Sequence, residues 1–424
     1  MFNSFFTKIR LIAKDATLRN RILFVLGALL VFRLLAAIPI PGVDHNALAQ
    51  FFGGNQFFGL LNLFSGGGLS GLSIVMLGVG PYITASIIMQ LVTMISPKLK
   101  ALYHEEGEAG RRRFSQYSRM IGVPLAVIQG LGFLLLLANQ GIIPQLTGLS
   151  LATNLIVITA GSVLLMWIGE LITEFGIGNG VSMLIFSGIV AGLPTAIQQI
   201  IFTFSPDQIP AYIAFVFVAL VIIFGVVVIT EAERPIPVTY AKQARGGKTT
   251  GGSSTYLPLR LNQAGVIPII FALSILLLPQ MAANFLAVVD NGTVQMIVRW
   301  LNAFVANQVA YGVTYFVFVF LFTYFYTAVT FDPDAMAKNL QKSGAFIPGV
   351  RPGESTAKHI GSIISRITLV GATFLGLIAV LPIVVQGLSG INSLTIGGTA
   401  LLIAVSVIID LIKKIDAQLV MREY

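Results

Sequence analysis

The sequence predicts an all-α polytopic membrane protein of ten transmembrane helices in two inverted five-helix halves. Three observations carry the prediction. Charged residues are 10% of the 424 residues and hydrophobic residues 56%, whereas a soluble globular chain carries about 25% charged residues. Ten apolar segments can be marked, at 22–38, 74–95, 120–138, 151–169, 181–204, 211–230, 264–285, 309–331, 367–387 and 393–412. Each approaches the ~20 residues that an apolar helix needs to cross a hydrocarbon core. With residue 1 placed inside, alternation makes the stretches before 22, 96–119, 170–180, 231–263, 332–366 and after 412 internal. Of the 26 Lys and Arg residues, Arg33 lies within a span and Arg299 in an external loop, and all the others are internal. That asymmetry obeys the positive-inside rule and fixes the orientation, with both termini cytoplasmic.

The elements follow in order. Phe2, Phe5, Phe6, Ile9 and Ile12 recur at helical spacing among Lys8, Arg10 and Lys14, which reads as an amphipathic helix on the inner membrane surface. The first apolar run has full span length, so no cleavable leader is expected. The stretch 57–95 is too long for one span and is broken by the glycines around Ser65–Ser73. A short apolar piece of this size reads as a re-entrant half-helix at about 57–73, lining a cavity that opens outward. A loop outside the membrane is the other reading. Pro81, Pro124, Pro194, Pro268 and Pro382 fall inside spans, where each removes a helical hydrogen bond and permits a kink. Gly176–Gly180 joins two spans as a tight turn rather than as a phosphate-binding loop. Five spans per half place the halves in opposite orientations. Residues 1–204 form the N-terminal half and 211–424 the C-terminal half, joined by an external hinge loop at 205–210 that carries two prolines.

The chemistry available is limited. There is no cysteine, which excludes disulfides and thiolate metal sites. No catalytic constellation, cofactor motif or metal-ligand spacing is found, so neither enzyme activity nor a cofactor is expected. The spans hold almost no titratable groups, whereas ion-coupled transporters place them in mid-membrane. Arg33 is the one charge well inside a span; it can snorkel, meet a lipid phosphate or pack against a partner helix. Thr84, Ser86, Gln90, Gln129 and Asn262 are polar residues in or beside spans. They either glue helices together or line a seam that opens. Internal loops 231–263 and 332–366 are long and basic, suited to RNA phosphates or an acidic protein surface.

Several long motifs make the chain recognisable. They are Gly80–Ile88 (GPYITASII), Glu106–Arg112 (EGEAGRR), Gly176–Gly180 (GIGNG), Asn262–Pro268 (NQAGVIP) and Lys342–Glu354 (KSGAFIPGVRPGE). Together they resemble the SecY family, the central channel subunits of the bacterial protein translocase, over essentially the whole chain. The resemblance implies a central pore between the halves with a ring of aliphatic side chains at its waist. Val79, Ile83, Ile185, Ile189, Ile270 and Ile403 match the ring. Leu60, Leu61, Leu63, Phe64, Gly66, Gly67, Gly68, Leu69 and Leu72 match the plug. Thr84, Gln129 and Asn262 match the polar cluster of a lateral gate, between spans two and three on one side and seven and eight on the other. Lys242, Arg245, Lys248, Arg351 and Lys358 match the surface that receives the SecA ATPase or the ribosome, the latter through its RNA. SecE, SecG, signal sequences, unfolded polypeptides and membrane lipids are the other partners implied, in the cytoplasmic (inner) membrane. An inverted-repeat transporter for a small solute is the alternative reading.

Overall fold

A computed structural model of the chain describes residues 15–41, 62, 65–69, 71–104, 106–139, 141–143, 148–202, 206, 209–240, 243–245, 248–250, 254–286, 291–389 and 397–423. The expected N-terminal surface helix, most of the hinge loop, and Leu60, Leu61, Leu63, Phe64 and Lys242 lie outside them. Ten long helices cover the ten apolar segments: α1 (Ala16–Ala36), α2 (Gly80–Ile95), α4 (Gly107–Asn139), α5 (Gly148–Phe175), α6 (Gly180–Phe202), α7 (Ile209–Glu231), α8 (Ile267–Leu286), α10 (Gln308–Thr330), α12 (Glu354–Ser389) and α13 (Gly397–Glu423). Three shorter helices intervene: α3 (Pro97–His104), α9 (Gly292–Ala306) and α11 (Pro333–Lys342). Among the described residues, α4, α5, the run from α10 into α11, and α12 each contain a stretch long and apolar enough to cross a membrane.

Local sequence explains the ends. Asp15 caps α1 by accepting from the amides of Thr17 and Leu18 at 2.9 and 3.3 Å, satisfying donors that a helix start leaves free. Exposed Leu23, Leu26, Leu30 and Leu34 follow on one face of α1. An apolar stripe turned outward suits a hydrocarbon solvent rather than water. Span two departs from expectation. Residues 74–79 form successive turns and α2 begins only at Gly80, with Pro81 in its first turn. There proline costs no helical hydrogen bond, so Pro81 starts a helix rather than kinking one. Pro268 likewise sits at the second residue of α8, whereas Pro124 and Pro194 are interior to α4 and α6. Pro279, inside α8, is a kink site that the sequence reading missed.

The turns at 74–78 are received by α5. The hydroxyl of Ser162 donates to the Gly78 carbonyl at 2.9 Å, and a Cβ on Gly161 would lie 2.1 Å from the Ile74 carbonyl oxygen. The turn 176–180 is equally tight: the Gly180 amide donates to Thr173 Oγ1 at 2.8 Å, and a Cβ on Gly180 would lie 1.8 Å from the Gly169 carbonyl oxygen. Gly180→Ala therefore has to part α5 from α6. We expect a cost of ~1–3 kcal/mol, as for other overpacked interiors, read as a lower unfolding temperature in detergent.

The long basic stretches between spans carry regular structure of their own. Within 231–263, β1 (Glu233–Tyr240) runs antiparallel to β4 (Ser254–Arg260), and β2 (Gln243–Arg245) pairs with β3 (Lys248–Thr250) as a separate two-stranded ribbon. The strand β5 (Ala345–Phe346) of the next internal loop pairs with the end of β1. Ile236, Val238, Leu259, Ile347, Ile360 and Ile364 make a buried core beneath this small sheet. The membrane body remains helical. The basic stretches around Arg111 and Lys358 are N-terminal extensions of α4 and α12 rather than loops.

Helix α8 lies against α2 and α4, and α13 lies against α6. One continuous apolar core runs between them, drawing on α1, α2, α5, α6, α7, α8, α10, α12 and α13.

Candidate functional site

The six residues matched to a ring come from both halves. Val79 caps α2 and Ile83 lies one turn on. Ile185 and Ile189 are spaced i,i+4 on α6, which puts them on one face. Ile270 is in the first turn of α8, and Ile403 is on α13. All six are buried, and all belong to the same core cluster. Branched aliphatic side chains from α2, α6, α8 and α13 and the residue capping α2 thus share one buried apolar cluster.

The turn segment, described at 65–69 and 71–73, packs beside that cluster. Ser65 accepts from the Leu69 amide at 2.9 Å, and the Ser73 hydroxyl donates to the Gly68 carbonyl at 2.9 Å. Ile40 and Ile74 amides pair with the carbonyls of Leu72 and Ile38 at 2.8 and 2.9 Å, tying the segment to the end of α1. Leu69 and Leu72 are buried among Met76, Phe133, Leu134 and Ile158. The described part is thus packed within the protein. Gly66 meets α6 directly: a Cβ on Gly188 would lie 2.2 Å from Gly66 Cα. Gly188 falls between Ile185 and Ile189. Arg33 donates from Nη1 to the Gly66 carbonyl at 2.9 Å and from Nη2 to the Ser187 carbonyl. None of the three roles read from sequence for Arg33 included this bridge, and Gly188 went unnoticed, because a contact between segments far apart in the chain leaves no local signal.

The polar residues matched to a gate stand on elements that meet at the α2–α4–α8 seam. Thr84 donates to the Gly80 carbonyl of its own helix at 3.0 Å. Gln129 is half-buried on α4 and Asn262 is buried just before α8. No hydrogen bond joins the three among the described residues. Gly371 of α12 receives the strand-to-helix link, where a Cβ would lie 2.8 Å from the Leu261 carbonyl oxygen. Asn262 Oδ1 and both amide atoms of Gln263 are buried without a protein partner. Each such orphan costs ~1–3 kcal/mol. Gln263 was not singled out from sequence.

Arg245 and Lys248 are direct cross-strand partners at the far end of the β2–β3 ribbon. Arg351 is exposed in the turn between β5 and α12, its carbonyl accepting from Thr356 Oγ1 at 2.9 Å. Gly349 and Gly353 flank it with φ of +82° and +102°, a backbone that only glycine adopts without strain. Lys358 is exposed but paired with Glu354 at 2.8 Å.

Comparison with known proteins follows this geometry. A family model described as SecY matches residues 73–412. The protein translocase subunit SecY of Mycobacterium bovis is 42% identical over 448 residues, covering 100% of this chain and 99% of the relative. That of Synechocystis is 42% identical over 422 residues, covering 97% and 94%. That of Streptomyces scabiei is 40% identical over 432 residues, covering 97% of each. A solved structure described as "The structure of a protein conducting channel" superposes with a TM-score of 0.66 at 17% identity, covering 96% of this chain and 94% of that one. Sec61 in the canine ribosome-channel complex gives 0.62 at 16% identity, covering 96% and 94%. The last two share the fold.

Proposed function

Because the chain belongs to the SecY family of protein-conducting channel subunits, we propose that it passes unfolded secretory polypeptides across the cytoplasmic membrane and releases apolar segments sideways into it. The observation that carries this reading is the waist: six aliphatic side chains from both halves in one buried cluster, with a glycine-rich turn segment lodged against α6 beside them. Flexible apolar side chains keep ions out at rest and close around a chain in transit. The N-terminal half (1–204) and C-terminal half (211–424) meet at seams, and the 205–210 link is the hinge between them. The α2–α4–α8 seam is the lateral gate, where Thr84, Gln129 and Asn262 meet the signal sequence.

The motive force comes from a partner. Arg33 is the one charged residue well inside a span, so there is no titratable relay to couple transport to an ion gradient. The basic ribbon tip and the Arg351 turn receive that partner, the SecA ATPase or the RNA of a ribosome, with both termini cytoplasmic. SecE and SecG complete the complex. The gate is tested by placing a photoreactive side chain at Thr84, Gln129 or Asn262. Each is expected to crosslink an engaged signal sequence, while Trp167, exposed on α5 away from the seam, gives none. Crosslinks of equal yield at Trp167 would remove the gate assignment.

A further inference from the structure

Arg33 does more than occupy a span. We propose that Arg33 latches the turn segment to α6 and thereby sets how readily the pore opens; this rests on the channel reading above. Its guanidinium sits near the end of α1 and holds two backbone carbonyls at once, Gly66 of the turn segment and Ser187 of α6. The planar fork of arginine suits two acceptors in fixed directions, which a lysine point charge does not match. Arg33 Cζ lies 5.0 Å from the Phe32 ring centroid. The same ring closes the seat, because a Cβ on Gly66 would come 2.3 Å from Phe32 Cζ. On the other side Gly188 touches Gly66 Cα. Gly66 has a φ of +66°. The seat therefore accepts glycine backbone and nothing larger, and the arginine bolts it across α1 and α6.

The acceptors suit a device that must release. Neutral carbonyls hold a guanidinium less firmly than a buried carboxylate does, and losing one leaves no unpaired anion behind. Ser187 and Gly188 lie between the ring residues Ile185 and Ile189, so the latch acts at the waist itself. A polypeptide that parts α6 from the turn segment breaks the Gly66 bond, while the Ser187 bond keeps the arginine poised to recapture the segment.

The absence of cysteine allows a clean readout. Leu69→Cys places one thiol at a side chain that is 1% exposed in the closed structure. The complex is reconstituted in liposomes without precursor or motor, and labelling by a membrane-impermeant maleimide is timed. Arg33→Gln is expected to speed labelling about tenfold, the shift that ~1.4 kcal/mol produces in an equilibrium. Arg33→Lys, which keeps charge but loses the fork, falls between. Gly188→Ala, which leaves Arg33 intact and pushes on Gly66, speeds labelling as well. Unchanged labelling in Arg33→Gln protein with the parental unfolding temperature overturns the latch. If Arg33→Gln does not fold, Arg33→Lys decides by the same criterion. No translocation is needed, so a failed latch and a failed channel reading are told apart.

Discussion

Liposomes carrying Ile83→Gly, Ile185→Gly and Ile270→Gly together are expected to lose ion tightness, with leak rising on the order of tenfold or more as the constriction wets. The three side chains come from α2, α6 and α8, and they are buried in one cluster. Removing them opens one aqueous thread rather than three separate voids. Each truncation also costs stability: Ile→Ala in a core costs ~2–5 kcal/mol, and helical glycine adds about 1 kcal/mol more. The single variants are therefore measured first, with detergent elution and unfolding temperature as folding controls. Folded triple variant with wild-type tightness would remove the ring from its role. The leak is expected at neutral pH and without partner, since the six ring side chains are apolar.

Arg351→Glu is expected to cut motor-driven export about tenfold, because reversing an exposed charge at a docking surface slows association and weakens the complex. The fold should be spared, as surface substitutions usually stay within ~0.5 kcal/mol. Arg351 projects from a glycine-flanked turn supported by the β1–β4–β5 sheet, so its position is fixed while its side chain stays exposed. Raising salt should weaken wild-type docking more than that of the variant, because screening removes what the substitution has already removed. Lys358→Glu is expected to do less, since Lys358 already pairs with Glu354. Normal export and normal motor binding by Arg351→Glu would move the docking surface elsewhere on the internal face.

Helix placement was legible because apolar length is a strong signal in a membrane protein. A long helix overlaps each of the ten apolar segments, although in segment 74–95 it starts only at Gly80. The ends themselves were not legible. Pro81 and Pro268 read as kinks because they lie in apolar runs, yet each occupies a helix start. The hairpin at 233–260 was readable in part. Gly246-Gly247 between Arg245 and Lys248 is a two-residue hairpin signal. The prolines Pro235, Pro237 and Pro258 masked it. They are tolerated because β5 pairs only with Thr239 and Tyr240, leaving that edge free at the prolines of β1. The helix α9, capped by Asn291, was hidden inside a loop that the span count had no reason to examine. The site residues came from family motifs. Their convergence is tertiary, and periodicity along one helix carries no information about which face meets which neighbour. The Arg33 bridge is the extreme case, linking residues 33, 66 and 187 through backbone carbonyls that no side-chain pattern announces.

The central claim, that this chain is the conduit, is tested most directly by reconstituting it with SecE in liposomes and adding SecA, ATP and an unfolded secretory precursor. The account predicts precursor protected from protease only when ATP and this chain are both present. Folded complex that binds SecA yet protects no precursor, while a small solute crosses the same vesicles, would contradict it.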